Sequence, residues 1–118
     1  MLDTAPLTAV VERFADRLRS APQSRLQRGA AAEGLALARE LSVRAQRLEG
    51  PVGAAGPREM PDAGIFVVGD QLAVAGLDLA EALRTAPPQR SPDGTKAPSE
   101  VLDEAVRLVE RAEVRAMR

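Results

Sequence analysis

The sequence contains no cysteine and no histidine. Without cysteine there are no disulfides and no thiolate metal ligands, and without histidine the commonest general base and metal ligand are missing. Only two aromatic residues occur, Phe14 and Phe66. The core must therefore be built from Leu, Val, Ile and Ala, which pack well between helices. These absences point away from catalysis and toward a small helical protein.

Neither sign of charge is in excess, because 16 basic and 17 acidic residues leave a formal net charge of −1. This balance argues against binding of a polyanion through bulk charge, although it is compatible with a local basic patch. Lys96 is the only lysine and Ala is frequent, a bias typical of a GC-rich bacterial genome. The N-terminal stretch carries no basic apolar run, so we expect no cleaved signal peptide and a cytoplasmic protein.

No uninterrupted hydrophobic run is long enough for a membrane anchor. The most apolar stretch, residues 61–83, is broken by Asp70, Asp78 and Glu81. A membrane span needs roughly 17–25 continuous apolar residues, and three acids without partners would be costly in lipid. We therefore interpret this stretch as a core helix and expect no contact with a membrane.

Apolar residues recur at helical spacing in four segments, and no run alternates as a strand would. The pattern predicts helices at about 3–20, 21–49, 62–86 and 99–117. Gly- and Pro-rich linkers are predicted at 50–61 and 87–98. With 118 residues the chain is one domain. The predicted fold is all-α, a four-helix bundle of two helical hairpins in up-down topology.

Several residues predict where these helices begin and end. Asp3 or Thr4 is expected to cap the first helix and Ser99 the fourth. Gly50, followed by proline, is expected to end the second. The third helix has a predicted core stripe, and the fourth a heptad seam. The stripe consists of Ile65, Val68, Leu72, Ala75, Leu79 and Ala82, with Leu83 beside them, and the seam of Leu102, Ala105, Val109, Ala112 and Ala116.

Small residues form a ridge along one flank of the third segment, and they are Gly69, Ala73, Gly76 and Ala80. Glycine inside a helix costs about 1 kcal/mol relative to alanine. Two glycines on one flank therefore predict that another backbone or side chain packs closely there. Packing within the monomer is the simpler interpretation.

Four larger apolar residues share the side of the third segment that carries Asp70, and they are Phe66, Val67, Val74 and Leu77. A helix with one buried face would expose all four. Either the bundle buries this helix nearly all round, or these residues and Asp70 belong to a dimer or partner surface. The sequence leaves both possibilities open.

Four arginines of the second segment fall within one arc of about 100° on an ideal helix. They are Arg25, Arg28, Arg39 and Arg47. Such a face can follow a phosphate backbone or bind an acidic partner. A solvated face is the simpler interpretation, because acidic residues lie nearby at pairing distance, namely Glu33, Glu40 and Glu49.

The remaining charged clusters are those that a helix dipole favours. The fourth segment begins with Glu100, Asp103 and Glu104 and ends with Arg111, Arg115 and Arg118. Di-metal sites in helical bundles combine glutamate with histidine three residues later, and this sequence has no histidine. No serine lies beside a base that could activate it. We therefore predict no enzymatic activity, no cofactor and no metal site.

These observations lead to three hypotheses about function. The first is a non-catalytic protein-protein interaction module that binds itself, as a homodimer, or another protein. Its surface includes the third segment, and the arginine face is a further candidate. The second is a small regulatory or nucleoid-associated protein that contacts nucleic acid through the arginine face of the second helix. The third is a carrier of a small apolar ligand, which a core poor in aromatic residues would permit.

Overall fold

The computed structural model describes residues 2–50, 58–87 and 96–118 of the chain. In these ranges every regular element is helical. The four main helices are α1 (Ala5–Ser20), α2 (Ala31–Glu49), α3 (Val68–Thr85) and α4 (Pro98–Ala116). Short helical turns at Gln23–Arg25 and Leu26–Ala30 lead into α2, and a 3₁₀ turn at Ile65–Val67 leads into α3. The helices pack against one another, so the prediction of an all-α four-helix bundle is confirmed.

The predicted core faces are the buried ones. In α3 the stripe residues from Val68 to Leu83 are buried, and Ile65 is half-buried. The whole predicted seam of α4 is buried as well. Phe14 of α1 is fully buried among these aliphatic side chains. Periodicity alone was sufficient to identify which side of each helix faces the core.

The contacts between helices differ from the predicted pairing of consecutive helices into hairpins. α1 and α2 make few contacts with each other, and each packs instead on α3 and α4. After α2 the chain turns back along it, because Arg39 Nε donates to the carbonyl oxygen of Met60 at 2.8 Å and Gln46 Nε2 donates to that of Arg58 at 2.9 Å. α3 therefore begins beside the start of α2, where Val68 lies against Gly34.

It follows that α2 and α3 run in the same direction, in place of the predicted up-down order. The reason lies in the long connection after Gly50, which is long enough to return along the bundle. A bundle with a crossover of this kind is an established variant of the four-helix arrangement. The two predicted linkers, 50–61 and 87–98, lie largely outside the described residues.

Two predicted helix starts also need correction. Asp62 Oδ1 accepts from the backbone N–H of Gly64 at 3.0 Å, and Gly64 has a φ of 102°. This turn holds residues 62–64 outside the helix, which begins with the 3₁₀ turn at Ile65–Val67. In α4 the cap position belongs to Ala97, and the first helical residue is Pro98. Proline is well suited to that place, and Ser99 lies inside the helix.

The start of α1 involves both predicted caps, but in different ways. Asp3 Oδ1 accepts from the backbone N–H of Ala5 at 3.0 Å. Thr4 occupies the cap position without a side-chain bond to the helix. Its hydroxyl oxygen instead accepts from Arg84 Nη1 at 2.7 Å, and Thr4 is buried. Thr4 therefore joins the end of α3 to the start of α1.

The second helical segment, predicted to be continuous over 21–49, is broken at Gly29. This residue has φ 146° and ψ −15°, values that no helix contains. Glycine tolerates positive φ because it lacks a Cβ atom, and glycine is a recognised cause of sharp kinks. At the other end Gly50, with φ 143°, ends α2 as predicted.

The small residues of α3 lie against α1. A Cβ atom added at Gly76 would come within 2.5 Å of Val11 Cγ1, and one added at Gly69 within 2.9 Å of the carbonyl oxygen of Ala15. Neither position has room for a methyl group unless α1 moves. Of the other ridge residues, Ala80 is buried and Ala73 is half-buried. The close packing therefore occurs within one chain.

Glu113 of α4 is the one buried acid or base among the described residues. Arg13 of α1 donates to its Oε1 from Nη2 at 2.8 Å and from Nε at 3.1 Å, and Arg17 Nη1 donates to Oε2 at 3.2 Å. Burial alone would raise the pKa of Glu113, but hydrogen bonds from Arg13 and Arg17 outweigh it and lower that pKa. The carboxylate thus stays charged and joins α4 to α1.

Gly76→Leu is expected to lower the melting temperature. Replacing glycine in a helix gains about 1 kcal/mol, whereas overpacking a tight contact typically costs about 1–3 kcal/mol, and more for a large side chain. Differential scanning calorimetry measures the balance. In the Val11→Ala background the loss should be smaller, because the opposing side chain has been shortened. A stabilised Gly76→Leu protein would contradict the close contact.

Glu113→Gln is expected to cost about 1.5–3 kcal/mol of unfolding free energy at pH 7, since hydrogen bonds to charged groups contribute on that scale. The folded pKa is depressed, so this stabilisation is present above the ordinary glutamate value of 4.5 and is lost as the pH falls through the folded value. Urea titrations should show the two proteins converging below pH 4.5. Glu110→Gln, at an exposed site of the same helix, is the control. A gap that persists unchanged at pH 2 would contradict the ionic interpretation.

Candidate functional site

The outward side of α3 carries an unusual group of exposed apolar side chains. Phe66 is 68% exposed, Leu77 58%, Val74 53% and Val67 37%. The glycines of α3 face α1, and its leucines at 72 and 79 face the core. No helix within residues 2–50, 58–87 and 96–118 covers the remaining side. We call the surface formed by Phe66, Val67, Asp70, Val74 and Leu77 the α3 face.

The exposure of these residues is concentrated in one place. Among the described residues five large apolar side chains are exposed, and four of them belong to the α3 face. The fifth, Val114, lies on α4. Scattered single apolar residues are normal on a protein surface, whereas a contiguous group is typical of a binding surface. The sequence left open whether the bundle buries this helix nearly all round. The described residues leave this side of the helix exposed.

Asp70 lies in the middle of the α3 face and is paired. Its Oδ1 accepts from Arg19 Nε at 2.8 Å and lies 2.8 Å from Arg19 Nη2 in the same ion pair. Arg19 Nη1 also donates to Asp16 at 2.9 Å. Both side chains are largely solvent-exposed, so the pair contributes little to stability. Its effect on the surface is local neutralisation, because the charge of Asp70 is matched by a guanidinium at the same place.

The beginning of α3 determines where Phe66 points. The turn at Asp62–Gly64 and the 3₁₀ turn that follows bring the chain onto the helix at an angle, and Phe66 lies in that 3₁₀ turn. Gln71 Nε2 donates to the carbonyl oxygen of Pro61 at 2.8 Å and ties the incoming segment to the first turns of α3. Phe66 is therefore held on an ordered element although its ring is exposed.

The structure distributes the four arginines predicted on one face over separate places. Arg39 donates to the Met60 carbonyl oxygen and pairs with Glu59 at 3.5 Å. Arg47 lies at the far end of α2, beside residues from the start of α4. Arg25 and Arg28 precede the kink at Gly29 and line a pocket together with Arg115 and Arg118. The sequence argument assigned those last two only to the helix dipole.

Of the acids at the start of α4, Glu104 forms ion pairs with two basic side chains. Glu104 Oε1 accepts from Arg44 Nη1 of α2 at 2.9 Å, and its Oε2 pairs with Lys96. Hydrogen bonds from Lys96 and then Arg44 lower the pKa of Glu104 to about 2. This carboxylate is charged at neutral pH and joins α4 to α2. Across residues 2–50, 58–87 and 96–118, no group of three or more acidic side chains is placed to hold a metal ion.

None of the helices in the described part of the chain combines the length and the apolar character that crossing a membrane requires. Comparisons with protein-family models, with curated proteins and with solved structures found no match to this chain. The function is therefore argued from the geometry of the α3 face itself.

Proposed function

We propose that this protein is a non-catalytic interaction module that self-associates through the α3 face. The observation that supports this proposal best is the grouping of four exposed apolar side chains on one helix whose other sides are packed. Phe66 is the most exposed of them, and aromatic side chains are enriched where proteins bind each other. Burying these side chains against a partner removes apolar area from water, which is the main driving force of association.

The charges of the chain are compatible with a second copy of the chain as the partner at the α3 face. The net charge of −1 produces little repulsion between copies. Two α3 helices that pair antiparallel about a two-fold axis at the level of Leu72 place Val67 of one copy opposite Leu77 of the other. In the same arrangement Asp70 lies opposite Val74 and Asp78 opposite Phe66. No carboxylate then faces a carboxylate, as a self-complementary interface requires.

The size of the face predicts how strong the association is. From Phe66 to Leu77 the helix extends over roughly 17 Å, at about 1.5 Å per residue. A stable interface buries about 800 Å² on each partner, and a single helix face of this length supplies only part of that area. We therefore expect a concentration-dependent dimer, with a dissociation constant in the micromolar range or weaker.

The second hypothesis, binding of nucleic acid through the arginine face of the second helix, has less support. It needs Arg25, Arg28, Arg39 and Arg47 on a common surface. Arg39 is engaged with the returning chain, and the kink at Gly29 separates the first two arginines from the others. Self-association through the α3 face requires no such rearrangement.

Leu77→Asp and Phe66→Asp are expected to raise the dimer dissociation constant at least tenfold, since each places a charge in an apolar contact that desolvation would penalise. Sedimentation equilibrium from about 10 μM to 1 mM measures the mass. Val114→Asp is the matched control, because Val114 is 59% exposed and Leu77 58%, but on different helices.

Circular dichroism should show all three variants as helical as the parent, since each substitution is at an exposed site. A parent protein that stays monomeric at 1 mM would contradict self-association. An equal loss in Val114→Asp would show that association does not use the α3 face.

A further inference from the structure

A pocket of about 390 Å³ lies between the kinked entry to α2 and the end of α4. Its charged lining comes from Arg25 and Arg28 before the kink, Glu33 after it, Arg115 in the last turn of α4, and Arg118 just beyond that helix. We call this site the arginine pocket. It shares no residue with the α3 face, and the proposed self-association makes no use of it.

Four guanidinium groups and one carboxylate side chain line the arginine pocket. Glu33 accepts from Arg115 Nε at 3.1 Å, so that carboxylate is already engaged. Arg25 Nη1 donates to the main-chain oxygen of Arg118 at 3.4 Å. Throughout residues 2–50, 58–87 and 96–118, neither Arg25 nor Arg28 forms an ion pair with an acid. Four positive side chains thus line the pocket against one carboxylate side chain, and Glu33 is paired with Arg115 alone.

Several arginines elsewhere in the described residues are paired with acids, which sets the excess of positive charge in the arginine pocket apart. Arg13, Arg17, Arg19 and Arg44 all bind carboxylates of neighbouring helices. Arginines at these helix contacts are therefore paired with acids, whereas, among the described residues, Arg25 and Arg28 in the arginine pocket are not. Like charges brought together repel each other, and a bound anion relieves that repulsion.

The kink contributes to the shape of the pocket. Gly29 forms part of the wall, and a Cβ atom added there would meet nothing within 4 Å. The space beside the backbone is therefore open. The φ of 146° at Gly29 interrupts the helix between Arg28 and Glu33. The chain thus uses a conformation that favours glycine at the point where its unpaired arginines meet α4.

We infer that the arginine pocket binds a small phosphate-bearing anion. The guanidinium fork matches the geometry of phosphate oxygens and binds them through charge-assisted hydrogen bonds. The volume lies within the usual range of small-molecule sites, about 300–1,000 Å³. A small anion suits the site better than a nucleic acid, because the arginines converge on one pocket and the net charge of −1 gives no long-range attraction to a polymer.

The test uses sodium pyrophosphate as the probe, with ionic strength held constant by sodium chloride. A ligand at ten times its dissociation constant should raise the melting temperature of a domain of this size by about 5 °C. Arg28→Gln should weaken pyrophosphate binding at least about tenfold, since it removes a charge-assisted contact. Arg47→Gln, at an exposed arginine at the far end of α2, is the matched control and should bind as the parent does.

Each other result decides against the proposal. No shift with pyrophosphate, or the same shift with sodium chloride alone at raised ionic strength, would show that no phosphate site exists. An equal loss in Arg28→Gln and Arg47→Gln would assign binding to general surface charge. A duplex oligonucleotide that binds more tightly than pyrophosphate and loses affinity in Arg28→Gln would replace the small anion with nucleic acid.

Discussion

The closeness of α1 to α3 is the constraint on which the rest of the structure depends. Gly76 lies against Val11, and Gly69 lies against the backbone of Ala15. A side chain at either glycine would push the two helices apart. Once this flank of α3 faces α1, rotation about the helix axis is no longer free. The leucines of α3 must then point into the core, and the side that carries Phe66 must point outward.

α4 is positioned by charge as well as by its apolar seam. Glu113 is buried and can remain ionised only where Arg13 and Arg17 reach it, so burial of this carboxylate selects one register of α4 against α1. Glu104 joins the other side of α4 to α2. The exposed members of these pairs contribute little energy, but removing a partner from a buried acid is costly. Close packing thus positions α3, whereas a buried ion pair sets the register of α4.

Sequence periodicity predicted the helices and their buried sides because both are local properties of the chain. Which helix each side meets is a non-local property. The predicted pairing of consecutive helices into hairpins therefore failed, because the chain returns along α2 before α3 begins. Gly29 and Gly34 show a further limit. Gly34 packs between Leu18 and Val68, whereas Gly29 breaks the helix. Glycine is compatible with either outcome, and only tertiary contacts distinguish them.

The α3 face and the arginine pocket arise from the same arrangement yet depend on different parts of it. The face exists because α3 packs through small residues on one flank and leaves larger apolar residues uncovered. The pocket exists because the kink at Gly29 brings Arg25 and Arg28 to the end of α4, far from them in sequence. An amphipathic pattern could indicate the first but not the second. The two proposed sites share no side chain, so the proposed anion binding does not depend on the proposed dimer.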